Sequence, residues 1–200
     1  MLETEVKAVV PDPDALRRRL LEAGARAGTA GRMSDIRVDR EGELAGRDEV
    51  LRVRVLPGEG GTATSELTWK GPVRVSPAGF KEREERTLAL PAAGDEILTF
   101  LAGLGYGPTL RIDRHVEYLD LAGVSVRLER YPRMDVLVEV EGEPSRLEGA
   151  IAVTGIPRDR FSAAALDDFV ARWEQRTGVP AVLSLDELPD GIPPDWPDTP

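Results

Sequence analysis

A two-residue period with charge on one side constrains this chain more than any other feature. At its start Glu3, Glu5, Lys7 and Val9 share one face of an extended segment, while Leu2, Val6, Ala8 and Val10 share the other, because successive strand side chains point to opposite faces. Three charges on one strand describe a solvated sheet face equally well, but the habit recurs. Residues 49–56 set Arg52 and Arg54 against Leu51, Val53 and Val55, and residues 65–71 set Glu66, Thr68 and Lys70 against Leu67 and Trp69. Residues 79–90 put Lys81, Arg83, Glu85 and Thr87 on one side. Further strands are predicted at 34–39, where Asp35, Arg37 and Asp39 alternate, and at 110–119, 123–130 and 135–142.

Helical periods fall between these segments. Asp12 as N-cap ahead of Pro13 opens a helix through Leu16, Leu20 and Leu21 that stops near Gly24. Ile97, Phe100, Leu101 and Leu104 give a second helix its apolar stripe, and Leu166, Phe169, Val170 and Trp173 a last one ending near Gly178. Ser145 and Glu148 have capping-box spacing for a short helix between them. The order strand, helix, three strands thus occurs twice. Eight mostly antiparallel strands in an α+β chain predict a closed β-barrel, since closure removes exposed edges. Amphipathic helices would cover the apolar outer faces, leaving the charged faces to line a water-filled tunnel. If that tunnel needs a break in strand register, residues 111–114 are where it is expected.

Composition bounds what the tunnel could hold. The chain has 200 residues, enough for one domain with a substantial core. The tunnel domain is expected over residues 1–178, followed by an acidic, proline-rich tail over 179–200 with little regular structure beyond its first few residues. No apolar run approaches bilayer length and no signal-peptide-like stretch follows Met1, so no membrane is expected and a reducing cytoplasm fits. A net charge of −10 argues against nucleic acid as a partner. Without cysteine, any metal must be held by oxygen or by the single His115, which reads as a surface or packing residue. The glycines around 58–61 form a turn and not a phosphate-binding loop, for no Gly-Lys-Ser/Thr follows. Tyr131-Pro132 reads as a turn before the last strand.

The inward set contains Glu3, Glu5, Glu85, Glu129, Glu139 and Glu141 together with Lys7, Arg52, Arg54, Lys70, Lys81 and Arg83, and Arg111, Arg114 and Arg127 join it less directly. So many enclosed charges need partners or ligands. A polyphosphate with a divalent ion satisfies both signs, as bases hold phosphate oxygens and carboxylates hold Mg²⁺ or Mn²⁺. Only three of the 26 basic residues are lysine, namely Lys7, Lys70 and Lys81, and all lie in or at the ends of predicted strands. A compact ammonium suits phosphate.

Glu3-Thr4-Glu5-Val6-Lys7 resembles the Glu-x-Glu-x-Lys signature of the CYTH domain, the triphosphate tunnel metalloenzymes. The resemblance continues through Leu51-Arg52-Val53-Arg54, Leu67-Thr68-Trp69-Lys70-Gly71-Pro72, Lys81-Glu82-Arg83-Glu84-Glu85 and Glu139-Val140-Glu141-Gly142, in the same order, and leans toward the class IV adenylate cyclase-like branch. It implies an eight-stranded tunnel and a metal-dependent enzyme acting on a triphosphate, as a cyclase or a triphosphatase. The metal set would be Glu3, Glu5, Glu129, Glu139 and Glu141. Lys7, Arg52, Arg54, Lys70, Lys81, Arg83, Arg111 and Arg114 would bind substrate, with Glu3, Glu5, Lys7 and Lys70 central to catalysis. The implied partner is ATP, thiamine triphosphate or inorganic triphosphate. The alternative is a non-catalytic binder of nucleotide or polyphosphate, and oligomeric state stays open, a homodimer included. Three positions depart from the pattern: Asp35-Ile36-Arg37 where Asp-x-Tyr is usual, Ile112-Asp113-Arg114 where Lys-x-Arg is expected, and Glu129 in place of Asp.

Overall fold

The fold is described from a computed structural model over residues 1–56 and 64–189, with 194, 196 and 197. The glycine turn expected at 58–61 lies outside the described residues. In chain order the elements are β1 (Leu2–Val9), α1 (Pro13–Glu22), β2 (Arg26–Asp39), β3 (Val50–Leu56), β4 (Thr64–Lys70), β5 (Arg74–Val75), β6 (Lys81–Leu90), α2 (Gly94–Gly103), β7 (Gly107–Leu121), β8 (Val124–Arg130), β9 (Leu137–Glu141), α3 (Pro144–Thr154) and α4 (Leu166–Thr177). No helix among the described residues is long and apolar enough to cross a membrane.

Eight of the strands close on themselves in the order β1-β9-β8-β7-β2-β3-β4-β6, and β6 pairs back onto β1. All pairings are antiparallel, and two-residue β5 adds to β6 outside the ring. The β1–β6 seam is short, running from Leu2↔Glu84 to Glu5↔Lys81. Beyond it Ser162, on the approach to α4, exchanges both backbone hydrogen bonds with Lys7 and continues the wall.

Two register shifts interrupt β2 against β7, between Ala27 and Ala30 and between Arg37 and Val38. The second leaves Thr109 without an opposite residue. Pairing through 111–114 is regular, so the break lies at the ends of this long ribbon and not at the expected place. β2 also begins eight residues before its predicted start. Its first half, Arg-Ala-Gly-Thr-Ala-Gly, has no apolar alternation and is extended only because β7 pairs with it.

Apolar outer faces are covered as the pattern implied. Val6, Ala8, Val126, Val138 and Val140 pack beneath Leu16 and Leu20 of α1 and Leu147 and Ile151 of α3. Asp12 caps α1 by accepting from the Ala15 N–H at 2.9 Å, with Pro13 at the first turn. Ile36, Val38 and Val53 pack beneath Ile97 and Leu101 of α2. That helix sits close to the sheet: a Cβ on Gly94 would fall 2.7 Å from Cγ2 of Val55.

Three expectations fail. Phe100 and Leu104 belong to the predicted stripe of α2 but are exposed, because α2 presents Ile97, Leu101 and, partly, Leu98 to the sheet. Helix α3 has no capping box: Glu143 is its N-cap, Pro144 fills the first turn, and the Glu148 carboxylate accepts from Arg158 Nε at 2.9 Å. Helix α4 does not lie on the outer wall. Its Leu166 and Phe169 pack with Ile112 and Leu137, which pair with the lumen residues Asp35 and Glu129 and so point inward. The start of α4 therefore narrows one end of the tunnel with an apolar contact.

Burial decides the stability consequences. Truncating Leu20→Ala, fully buried between α1 and the barrel, should cost about 2–5 kcal/mol in urea unfolding. Phe100→Ala, despite its place in the sequence pattern, should change stability by no more than about 0.5 kcal/mol.

Candidate active site in the barrel lumen

Cross-strand register determines which side chains meet inside. Glu3 pairs with Arg83 and Glu5 with Lys81 across the β1–β6 seam. On the other side of β1, Glu5 pairs with Glu141 and Lys7 with Glu139. The ring continues through Glu139↔Arg127, Asp35↔Arg54, Arg37↔Arg52, Arg52↔Thr68 and Lys70↔Glu85. Each pair shares a face, so these charged residues point into one space.

Four carboxylates gather where β1 meets β9. One oxygen each from Glu3, Glu5, Glu139 and Glu141 lies within 4.8 Å of all the others, and the first three residues are buried. Two Glu-x-Glu pairs on adjacent antiparallel strands produce this focus. A set made only of carboxylate oxygens fits a hard divalent cation such as Mg²⁺ or Mn²⁺. All three lysines of the chain contact the same cluster. Lys70 donates to both oxygens of Glu3 at 2.8 Å and lies 2.6 Å from Glu85. Lys81 reaches Glu5 at 2.8 Å, Lys7 pairs with Glu139, and Arg127 joins Glu139 to Glu141.

The environment splits the carboxyl pKa values. Burial and the neighbouring Glu5 charge hold Glu3 above its ordinary value, despite Lys70. Burial pushes Glu5 the same way, but Lys81 and Lys70 outweigh it and the net shift is downward. Glu85 is brought down to about 2, Lys70 overcoming the burial that opposes its charge.

A second network occupies the opposite wall around Asp35. Its carboxylate accepts from Arg54 Nε at 2.7 Å and Nη2 at 3.0 Å, from Arg114 Nη2 at 2.8 Å and from Arg52 Nη1 at 3.3 Å. Burial raises the Asp35 pKa, but three guanidinium groups take it well below the carboxylate range. Burial also lowers Arg52 to about 10, helped by Arg54 and Arg114 and opposed by Asp35. Arg114 spans from Asp35 to Glu129 at 3.3 Å, and Glu129 accepts from the Tyr131 hydroxyl at 2.8 Å. Among the described residues Arg52 Nε is buried without a hydrogen-bond partner, an unsatisfied donor that calls for an acceptor.

Two cavities meet in the middle. A wide one of about 780 Å³ is bordered by Glu3, Glu85, Glu141, Tyr118, Ser125 and Thr87, and a narrower one of about 250 Å³ by Glu5, Lys7, Asp35, Lys81, Arg114, Glu129 and the start of α4. Arg52, Arg54, Lys70 and Arg127 line both. Four cations therefore ring the junction, beside the four-carboxylate cluster.

The CYTH domain family model matches residues 1–146 of the chain. The chain belongs to the CYTH family. Its barrel superimposes on a proposed adenylate cyclase of Vibrio parahaemolyticus with a TM-score of 0.72, at 13% identity over 86% of this chain and 98% of that one. A Pyrococcus horikoshii OT3 protein gives 0.67 at 19% identity, covering 85% and 98%. A proposed adenylyl cyclase of Hippeastrum, whose structure is described as revealing a dominant triphosphatase activity, gives 0.61 at 19% identity, covering 89% and 98%. No curated protein matches the chain.

Against the CYTH pattern, the lumen gathers Glu3, Glu5, Lys7, Arg52, Arg54, Lys70, Lys81, Arg83, Arg114, Glu139 and Glu141. Arg83 is partly committed, donating Nε to the Gly71 carbonyl at 2.8 Å and Nη2 to that of Asp48 at 3.2 Å. Two expected site residues are placed otherwise. Arg111 is on the outer face of β7, where it meets Asp113 and Asp186; regular alternation through 111–114 sends Arg114 inward and Arg111 out. Glu129 is in the lumen but apart from the carboxylate cluster, tied to Arg114 and Tyr131. His115 is buried on the outer face, its pKa lowered by burial and by Arg130.

Sequence reasoning missed three lumen residues. Tyr131 is a buried partner of Glu129, with more than a turn's role; Tyr118 lies beneath the Arg127 guanidinium, 5.8 Å from the ring centre; and Asp35 is the hub of the arginines. Only Asp35 had a usable signal, its alternation with Arg37.

Two outcomes follow. Asp35→Ala leaves three buried guanidinium groups short of their shared anion and should destabilise the barrel by about 3–5 kcal/mol in urea. Asp35 and Glu85 have folded pKa values below their unfolded ones, so the stability they contribute is present at neutral pH and lost as pH falls. For Glu85 the window runs from its ordinary 4.5 to about 2. Urea midpoints should therefore drop through this range, and Glu85→Gln should flatten the drop.

Proposed function

We propose that this CYTH protein is a divalent-metal-dependent enzyme that acts on a phosphoanhydride bond of a triphosphate substrate held across the tunnel. The observation that carries the reading is the ring of Arg52, Arg54, Lys70 and Arg127 at the cavity junction, set directly against the Glu3, Glu5, Glu139 and Glu141 cluster. A triphosphate with its metal ion is complementary to both halves at once. Each lysine now neutralising a glutamate is a cation that phosphate oxygens can take over when the carboxylates turn to metal.

Glu3, Glu5, Glu139 and Glu141 would hold Mg²⁺ or Mn²⁺, which supplies charge neutralisation on the phosphate oxygens when bound. The chain's own part is positioning. Arg52 brings a buried donor with no other partner among the described residues, and Lys7 and Lys70 bring ammonium groups beside the acid cluster. Asp35 fixes Arg54 and Arg114 so that little reorganisation is needed when charge develops on the transferring phosphoryl group. In hydrolysis a P–O bond forms to water and the bridging P–O bond breaks. In cyclisation the attacking oxygen is a ribose hydroxyl and diphosphate leaves.

The experiment is a panel of ATP, thiamine triphosphate and inorganic triphosphate with Mg²⁺ and Mn²⁺, in which orthophosphate, diphosphate and cyclic nucleotide are measured separately. Turnover of at least one substrate, lost on chelation, is expected. Glu3→Gln with Glu5→Gln should abolish turnover and weaken Mn²⁺ binding in calorimetry while the protein stays folded. Arg52→Ala with Arg54→Ala should weaken triphosphate binding by about 3–5 kcal/mol. Metal-independent binding without turnover of any substrate would instead favour a non-catalytic binder.

A further inference from the structure

The C-terminal stretch beyond α4 is acidic and rich in proline, yet residues 181–185 are built onto the barrel. Strand β7 pairs with β8 only from His115↔Arg130 onward. Before that point the β7 edge would be open, because the chain after β8 turns away at Tyr131-Pro132. Residues 182–185 fill this opening. The Asp113 N–H donates to the Leu183 carbonyl at 2.8 Å, while Val182 exchanges backbone hydrogen bonds with Arg133 at 2.9 and 3.1 Å. The Asp113 side chain is fully buried on the outer face and receives the segment: it accepts from the Leu185 N–H at 3.0 Å, from Ser184 Oγ at 3.3 Å and from Ser34 Oγ. Trp196 Nε1 donates to the Tyr131 carbonyl at 3.3 Å, so the chain beyond still touches the same place.

The residues on the inner side of this patch are Arg114 and Tyr131. Arg114 follows Asp113 directly and points the opposite way, to Asp35 and Glu129; Tyr131 holds Glu129. We infer that residues 182–185, received by Asp113, are positioning residues that close the barrel wall and hold Arg114 and the Glu129–Tyr131 pair in place for triphosphate binding. This rests on the functional reading above. Asp113 holds the unrestricted middle position of Ile112-Asp113-Arg114, and its side chain serves the outer wall, not the lumen. The matched family region ends at residue 146, so the closing piece belongs to the part of the chain outside it.

The test uses the full chain with Ser184→Ala and Leu185→Pro together, which removes two donors to Asp113 and leaves every lumen residue intact. The melting temperature, inorganic triphosphate binding with Mn²⁺, KM and kcat, and hydrogen exchange of the β7 amides are measured. The expected result is faster exchange at 111–114 and a KM raised about fivefold, a loss near 1 kcal/mol, with kcat little changed and the protein folded. Leu185→Ala, which keeps the N–H, should behave as wild type. An unchanged KM and binding constant in the double variant, with exchange showing the segment released, would overturn the inference. If wild type itself fails to bind triphosphate, the functional reading falls. Exchange then decides the wall closure alone, with unchanged protection at 111–114 counting against it and faster exchange supporting it.

Discussion

An enclosed charge is tolerable only beside its opposite, and that requirement organises this protein. The strands send at least seven cations and seven carboxylates into one lumen, a burden that an ordinary core would not carry. The structure meets it by dividing the charges into two assemblies. One is a carboxylate cluster compensated by the three lysines and Arg127; the other is a carboxylate, Asp35, compensated by three arginines. The division follows residue chemistry. Guanidinium forks lock onto Asp35 through several fixed donors, whereas ammonium groups sit against the glutamates through contacts that a rotation of the side chain can release. A polyanion with a divalent ion can therefore enter the lysine half by exchanging partners, while the arginine half stays ordered.

Closure of the sheet makes the charge arrangement compulsory. With eight strands closed in a ring, each strand's alternation sorts its side chains into lumen and exterior, and a slip of one residue would bury aliphatic side chains among charges on that strand. This is why the register shifts of β2 matter by where they occur. They fall at the ends of the β2–β7 ribbon and leave Asp35 and Arg114 in phase. The apolar contact of Ile112 and Leu137 with Leu166 and Phe169 ends the charged lumen at one side, so the tunnel is wide and mixed at one mouth and narrow at the other.

Much of this was legible in the residues. Period-two alternation on β1, β3, β4 and β9 revealed both the strands and the lumen face, because each has apolar side chains on one side and charged ones on the other; β6 is charged on both faces over residues 81–86 and turns apolar on its outer face only at Leu88 and Leu90. Glu3, Glu5, Glu139 and Glu141 followed from their spacing. What escaped depended on partners distant in sequence. The first half of β2 has no pattern of its own and is a strand only through β7. Helix α4 has an apolar stripe like the other helices, and nothing in a stripe says whether it faces a wall or an opening. Arg111 and Arg114 are both plausible lumen residues until the phase of β7 is known. The same holds for Glu129, whose side chain faces inward as expected but is claimed by Arg114 and Tyr131, a tyrosine that sequence alone placed in a turn.

The barrel could in principle serve many ends, since a fold does not fix a function; the claim here lies in the juxtaposition of the carboxylate cluster and the cation ring. The most direct measurement is a crystal structure with Mn²⁺ and a non-hydrolysable triphosphate analogue, with the manganese located by its anomalous signal. Manganese is expected among Glu3, Glu5, Glu139 and Glu141, and phosphate oxygens within hydrogen-bond reach of Arg52, Lys70 and Arg127. An analogue bound only outside the barrel, or a lumen that admits it with no metal at those carboxylates, would rule out a metal–triphosphate site in this tunnel.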